Sequence, residues 1–192
     1  MLHRNALSVL YAVADQPPNS IRSQLTRLGM DTGKLEANNV LQIVDLYTPT
    51  LGIKSAEKYS APSMKVQDAS IAWAKALKEG KRFSDVLRIG DDHSVFARFN
   101  EDRAWVELII TRHVPLGPAM DSTAIVAYLR GVHPEWVYKR LEAAYDGVVE
   151  FKLDDSGEQM FDLMRIASIR NVGFDRSWHR LNVEDNLRVK LA

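Results

Sequence analysis

Apolar positions along this chain change their period repeatedly, and the changes mark out alternating strands and helices. Residues 6–14, ALSVLYAVA, form an apolar run interrupted only by Ser8 and Tyr11, which predicts a first buried strand. After Pro17 and Pro18, tolerated before or in a first helical turn, Ile21, Leu25 and Leu28 fall on one helical stripe that Gly29 ends. Residues 40–46 predict a second strand, and the polar, poorly periodic stretch 52–63 predicts a flexible loop. Val66, Ala69, Ile71 or Ala72, Trp73, Ala76 and Leu77 then repeat at helical spacing up to a stop at Gly80.

The second half continues the alternation. FSDVLRIGDDHS runs from an apolar strand into an acidic turn. In NEDRAWVELIITRHV, Asn100 is the expected N-cap and Trp105, Leu108, Ile109 and Arg112 share a face, which predicts a helix; its β-branched content leaves a strand as the alternative. STAIVAYLRG reads as a strand, HPEWVYKRLEAAY as a helix with Pro134 early, and DGVVEFKLDD as a strand. The tail, 159–170 and 179–192, reads as further strands, antiparallel about a turn at 154–158. Strands alternating with helices predict an α/β fold, a doubly wound, mostly parallel sheet flanked by helices and closed by antiparallel C-terminal edge strands, within a single domain spanning 1–192.

Composition narrows the chemistry. Lys plus Arg and Asp plus Glu number 25 each, so no global field draws the protein to nucleic acid or anionic lipid. The absence of cysteine removes disulfides, thiolate catalysis and Cys-ligated zinc, and fits a cytoplasmic setting. No apolar run approaches the roughly 20 residues a membrane helix needs, so no membrane partner is expected. The basic start and Ala12-Val13-Ala14 imitate a signal peptide, but the interrupted run fits the strand better.

The stretch RLGMDTGKLE, residues 27–36, nearly spells a phosphate-binding loop. Such a loop needs G-x-x-x-x-G-K-[ST] between a strand and a helix. Here Gly29 and Gly33 are separated by three residues, Leu35 follows Lys34 where a hydroxyl is needed, and a helix precedes. It reads as a helix cap and turn with Lys34 solvated. Asp91 and Asp92, in GDDHS, stand where doubly wound sheets bind ligands and could hold Mg²⁺, or cap a solvated turn. His93, His113, His133 and His179 show no metal-ligand spacing. Arg170, Arg176, Trp178, His179 and Arg180 mix cations with aromatics, a patch for phosphate, an acidic partner or a nucleic-acid strand.

Taken in order, several segments resemble the later part of a KaiC-like ATPase domain of the RecA superfamily. Residues 9–45 are similar to that family's second core strand, helix and following strand; Asp146-Gly147-Val148 stands at its D-G-V/I position, and MRIASIRNVGFDRSWHRLNV is similar to its closing strands. The resemblance implies a phosphate loop lying before the strand that begins near Ala6, so the cradle is expected upstream of Met1 or on another chain. It makes Asp92, or Asp91, the match to the Mg²⁺-associated acid. It sets Ala14-Asp15 where the family has catalytic Glu residues, Asp15 being the remaining catalytic candidate. In the K-x-R-G pattern only Arg170 is kept, as a phosphate ligand acting in trans. These departures imply a non-catalytic module working through protein interaction, as a homo-oligomer or with an active paralogue. No cofactor is expected for this chain alone, ATP and Mg²⁺ entering only if the missing segment is supplied. Nucleic-acid binding through the 170–180 patch is the further alternative.

Overall fold

The computed structural model describes residues 7–80, 85–157, 159–184 and 189–191. The chain divides into two compact units, residues 1–137 and 138–192. In the first, five parallel strands run in the order β3-β2-β1-β4-β5: β1 (Leu7–Val13), β2 (Leu41–Asp45), β3 (Tyr59–Ser60), β4 (Asp85–Asp92) and β5 (Ser122–Ala127). The chain winds outward from β1 to β3, then returns to the other side of β1 for β4. Register pairs Ala12 with Gly90. Ligands of open α/β sheets bind at such a reversal, beyond the carboxyl ends of the strands, so residues 14–15 and 91–92 occupy the position that matters.

Alternation along the strands decides what each face buries. Val9, Tyr11, Val13, Leu41 and Ile43 point to one face, where Ile21 and Leu25 of α1 (Pro18–Arg27) and Leu35 of α2 (Thr32–Ala37) pack on them. Gly29, at φ 81°, stops α1 as expected. The rest of RLGMDTGKLE is more than a turn: the Asp31 carboxylate accepts the Lys34 N–H at 3.0 Å and caps α2, while the Lys34 side chain stays exposed.

On the opposite face lies α3 (Val66–Gly80), its Trp73, Ala76 and Leu77 buried. Its last residue is so close to β2 that a Cβ on Gly80 would come within 2.6 Å of Gln42 Cγ. The segment 100–114 is helical, α4 (Asp102–Leu108) running into a π-helical turn at Ile109–His113, with Trp105 and Val106 fully buried. Asn100, however, does not cap α4. Its side chain accepts the Val66 N–H at 2.9 Å and donates to Met64 O and Phe96 O, capping α3 instead. Glu101 takes the α4 cap position with no side-chain bond. A short α5 (Leu116–Ala119) precedes β5.

The stretch 52–63, expected as a flexible loop, supplies β3, with Tyr59 and Ala61 buried. Its Glu57 shares the Arg22 guanidinium with Glu36, each carboxylate bound by two nitrogens at 2.7–2.8 Å. Both hydrogen-bonded carboxylates raise the Arg22 pKa. Fork-to-fork geometry makes this pairing stronger than an ordinary surface bridge. Arg22→Met is expected to cost about 1 kcal/mol and to make residues 52–60 exchange amide hydrogen faster, while leaving β1 protection unchanged; hydrogen exchange read by mass spectrometry checks both.

After α6 (Glu135–Ala144), the second unit forms a sheet of its own from four antiparallel strands: β6 (Gly147–Asp154), β7 (Phe161–Ile169), β8 (His179–Val183) and β9 (Val189–Leu191). The pairs Glu150–Arg165, Lys152–Leu163 and Leu163–Arg180 define one face; Val149–Ile166, Phe151–Met164, Met164–His179, Leu181–Leu191 and Val183–Val189 define the other. The second face is apolar apart from Asp162, which pairs with Leu153, and His179. Val149, Phe151, Leu153, Val183, Val189 and Leu191 are nevertheless each half or more exposed.

Candidate functional site

β1 and β4 end side by side, and their last residues build an acid pair. The Ala14 N–H donates to both oxygens of Asp91 at 2.8 Å, and the Asp15 N–H reaches Oδ2 at 3.3 Å. Asp91 is buried whereas Asp15 is exposed. Burial pushes the Asp91 pKa up to about 8, helped by a side-chain hydrogen bond with Asp15 and by that carboxylate's charge; the two backbone amides pull the other way without prevailing. Burial and the Asp15 carboxyl therefore favour the neutral form of Asp91 near pH 7. Tyr11, beneath the pair, has its phenol pKa raised by burial first and then by the charges of Asp91 and Asp15.

Asp92 faces away from this pair. Its Oδ1 accepts the Ser94 N–H at 2.8 Å and starts the 3₁₀ turn His93–Arg98. The Ser94 hydroxyl accepts the Leu129 N–H at 2.7 Å, tying that turn to the chain leaving β5. At the end of β2, Asp45 was not singled out by sequence reasoning. It is buried and fully used, with Oδ1 accepting from Tyr47 and Thr48 N–H and Oδ2 from the Ser55 hydroxyl. The Asp-x-x-Thr-Pro wording of that turn is its one sequence signal.

Magnesium fits this arrangement poorly. Its usual ligand is an ionised carboxylate with free lone pairs. Asp91 is amide-bound on both oxygens and mostly protonated, and among the described residues no group of three His, Asp or Glu side chains is placed to hold a metal ion.

Behind the acid pair lies a second group that sequence reading dispersed. His93 and His113 both pack on the Trp73 indole, ring centroids 5.3 and 4.4 Å away, with Phe96 and Tyr128 edge-on to His93. Among the described residues neither imidazole has a hydrogen-bond partner, and burial drives both pKa values down to about 3. For His113 the charges of Arg88 and Arg112 add to the effect. Buried Arg88 donates to the His113 carbonyl at 2.9 Å. His93 fits only because position 90 lacks a Cβ, which would overlap the imidazole.

The 170–180 patch is only partly assembled. Trp178 lies under Lys152 Nζ and the Arg165 guanidinium, each 4.6 Å from its centroid, and Arg180 stacks on Phe161, all on the charged face of the second sheet. Lys152, Arg165 and Phe161 join this face through strand register, which the sequence alone did not supply. Glu150 neutralises Arg165 at 2.6 Å. His179 belongs to the opposite face and pairs with Asp175 at 3.2 Å. Arg176 lies over Phe174. Arg170 closes the end of α6, Nη2 donating to Ala143 O at 2.6 Å with Asp146 3.4 Å from Nη1, a structural use of the side chain expected to reach phosphate.

A five-stranded parallel sheet with helices on both faces, an acid pair at its point of reversal and a separate antiparallel sheet make up a KaiC-like α/β fold. Solved structures agree. A KaiC-like protein from the hyperthermophilic archaeon Pyrococcus horikoshii OT3 superposes with a TM-score of 0.69 at 14% identity, over 96% of this chain and 76% of that one. An uncharacterized protein from Pyrococcus horikoshii, solved in complex with an unknown peptide, gives 0.71 at 16% identity, over 97% and 80%. At these identities the likeness establishes the fold. No protein-family model and no curated protein matches the sequence. Among the described residues no helix is long and apolar enough to cross a membrane.

Proposed function

We propose that this chain is a cytoplasmic ATPase-fold module that acts through protein association and does not turn over nucleotide. One observation carries the reading: the apolar face of the second sheet, with Val149, Phe151, Leu153, Val183, Val189 and Leu191 all half or more exposed. Monomeric proteins rarely leave a contiguous apolar surface of this kind in water, and when rimmed by polar groups it marks an interaction site. Glu150, Lys152, Asp154, Arg165 and Arg180 of the same strands lie on the other face, and this one is clear of charge along Val149, Phe151 and Ile166, with Asp162 opposite Leu153 at its end. Two features at the other unit point the same way: burial and the neighbouring Asp15 carboxyl favour the neutral form of Asp91 against the pull of the backbone amides, and the acid pair offers no ready metal site. One solved neighbour of the same fold was captured with a peptide, which supports a peptide or protein as the partner class.

Phe151→Glu combined with Leu153→Glu tests the surface. Both side chains are exposed, so folding free energy should move by less than about 1 kcal/mol while capture of partner protein, scored by quantitative co-purification against the unaltered chain, falls at least about tenfold. Equal capture by both proteins would remove the surface from the proposal. The non-catalytic half of the reading expects no thermal shift with millimolar Mg-ATP; saturable binding in the micromolar range would overturn it, since a ligand at about 100 times its Kd stabilises by about 2.7 kcal/mol.

A further inference from the structure

β5 is an edge strand without the usual protection. Among the described residues it pairs only with β4, so its other side presents free backbone N–H and C=O groups across Ser122–Ala127. Natural edges are blunted by charge, proline, bulges or brevity. The far edge of the same sheet, β3, is two residues long, and the β6 edge of the second sheet carries Glu150, Lys152 and Asp154. β5 is six residues, STAIVA, with no charge and no proline.

Its side chains are equally uncovered on one face. α1 and α2 pack over β1 and β2 there; along the same face Leu87 and Ile89 of β4 are half-buried, and Thr123 and Ile125 of β5 are exposed, Ile125 at 60%. Parallel strands are ordinarily buried on both faces. In the chain leaving β5, Leu129, Val132 and Trp136 are apolar and 45–59% exposed as well.

We infer that the β5 edge is the site where a second copy of this chain pairs, strand against strand about a two-fold axis, joining the two parallel sheets into one. The occupant follows from charge and symmetry. Two-fold pairing sets each strand antiparallel against itself, which penalises any strand with like charges opposite one another. β5 has none, so Ser122 to Ala127 can face their own copies without repulsion, whereas a charged partner strand would find no complement there. Pairing saturates the free ladder groups, and the Ile125 side chains and the apolar residues that follow leave water together. This surface is separate from the apolar face of the second sheet, and neither proposal depends on the other.

Sedimentation velocity across a dilution series of the full chain, with amide exchange of residues 122–127 read at each concentration, tests it. A monomer–dimer equilibrium is expected in which β5 amides slow at least tenfold as dimer forms. Ile125→Lys should weaken dimerisation at least tenfold, and Phe151→Glu with Leu153→Glu should leave it intact. A chain that stays monomeric up to about 100 µM overturns the inference, that concentration being a generous limit for a specific contact. A dimer that forms with β5 still exchanging freely, or that Ile125→Lys does not weaken, overturns it as well. So does protection of β5 that is independent of concentration, which would mean that another segment of the same chain covers the edge.

Discussion

Unfolding free energy should peak near pH 6.5 and fall on both sides. The alkaline arm comes from Asp91, whose pKa rises from an ordinary 3.8 to about 8 in the fold. Between those values the folded chain keeps a proton that the unfolded chain releases, so stability declines as pH rises, by about 1.4 kcal/mol per unit until pH nears 8. The acid arm comes from His93 and His113, both lowered from 6.5 to about 3. Below 6.5 the unfolded chain takes up two protons that the buried rings exclude, each costing the fold about 1.4 kcal/mol per unit. Two losses against the one gain from Asp91 leave a net decline of about 1.4 kcal/mol per unit down to pH 5.

Asp91→Asn separates the arms. The amide cannot accept both Ala14 hydrogen bonds, so the variant carries a pH-independent penalty of about 1–2 kcal/mol. Its stability should then rise to a plateau reached by about pH 7.5, instead of declining, and fall about twice as steeply below 6.5. Urea midpoints at half-unit pH steps check the shape, and identical slopes for both proteins above pH 6.5 would show that Asp91 is ionised in the fold.

The second large effect is at Gly90. A methyl group there would overlap the ring of His93, lying within 2.9 Å of Cε1, and the ring has nowhere to retreat: it is fully buried between Trp73, Phe96 and Tyr128. Gly90→Ala is expected to destabilise by about 3 kcal/mol, the upper part of the overpacking range. His93→Ala alone opens a cavity and costs about 2–3 kcal/mol. Combined, the two changes should cost about 2 kcal/mol less than their sum, because the second removes the ring that the first collides with. Additive costs in a denaturation-based double-mutant cycle would place the Gly90 requirement in its backbone and not in this contact. The double variant should also lose the decline between pH 6.5 and 5, since the one remaining buried imidazole only offsets the gain from Asp91.

These effects gather at one place in the fold, and the sequence pointed to that place more clearly than to its chemistry. GDDHS stood out because acids follow an apolar strand run, and Asp91 does lie at the carboxyl end of β4, beside Asp15 from β1. Which acid turns inward was open in sequence, because the two are adjacent and alternate faces. The fold assigns Asp91 to the buried pair and Asp92 to a turn cap. RLGMDTGKLE shows the same division. Its glycine spacing excluded a phosphate loop and placed a helix stop at Gly29, while the following α2 depends on Asp31 capping and on Leu35 reaching a core built from β1 and β2. Asn100 was placed correctly as a cap residue but credited to the wrong helix, since the N–H that donates to it, on Val66, is 34 residues away.

Periodicity by itself therefore determined the elements and their type. A period of two or a continuous apolar run makes β1, β2, β4 and β5, a stripe near 3.6 makes α1, α3 and α6, and their alternation makes a parallel sheet. These are local properties of backbone geometry and need no knowledge of neighbours. Tertiary structure alone decided the rest: that His93 and His113, 20 positions apart, flank one indole; that Lys152 and Arg165 join Trp178; that the last strands form a separate sheet with an open apolar face; and that β5 ends the first sheet among the described residues. Each depends on which strand lies beside which and in what register. Side chains alternate faces with every residue, so a neighbour or a one-residue slip changes the whole set of contacts, and no local pattern encodes it.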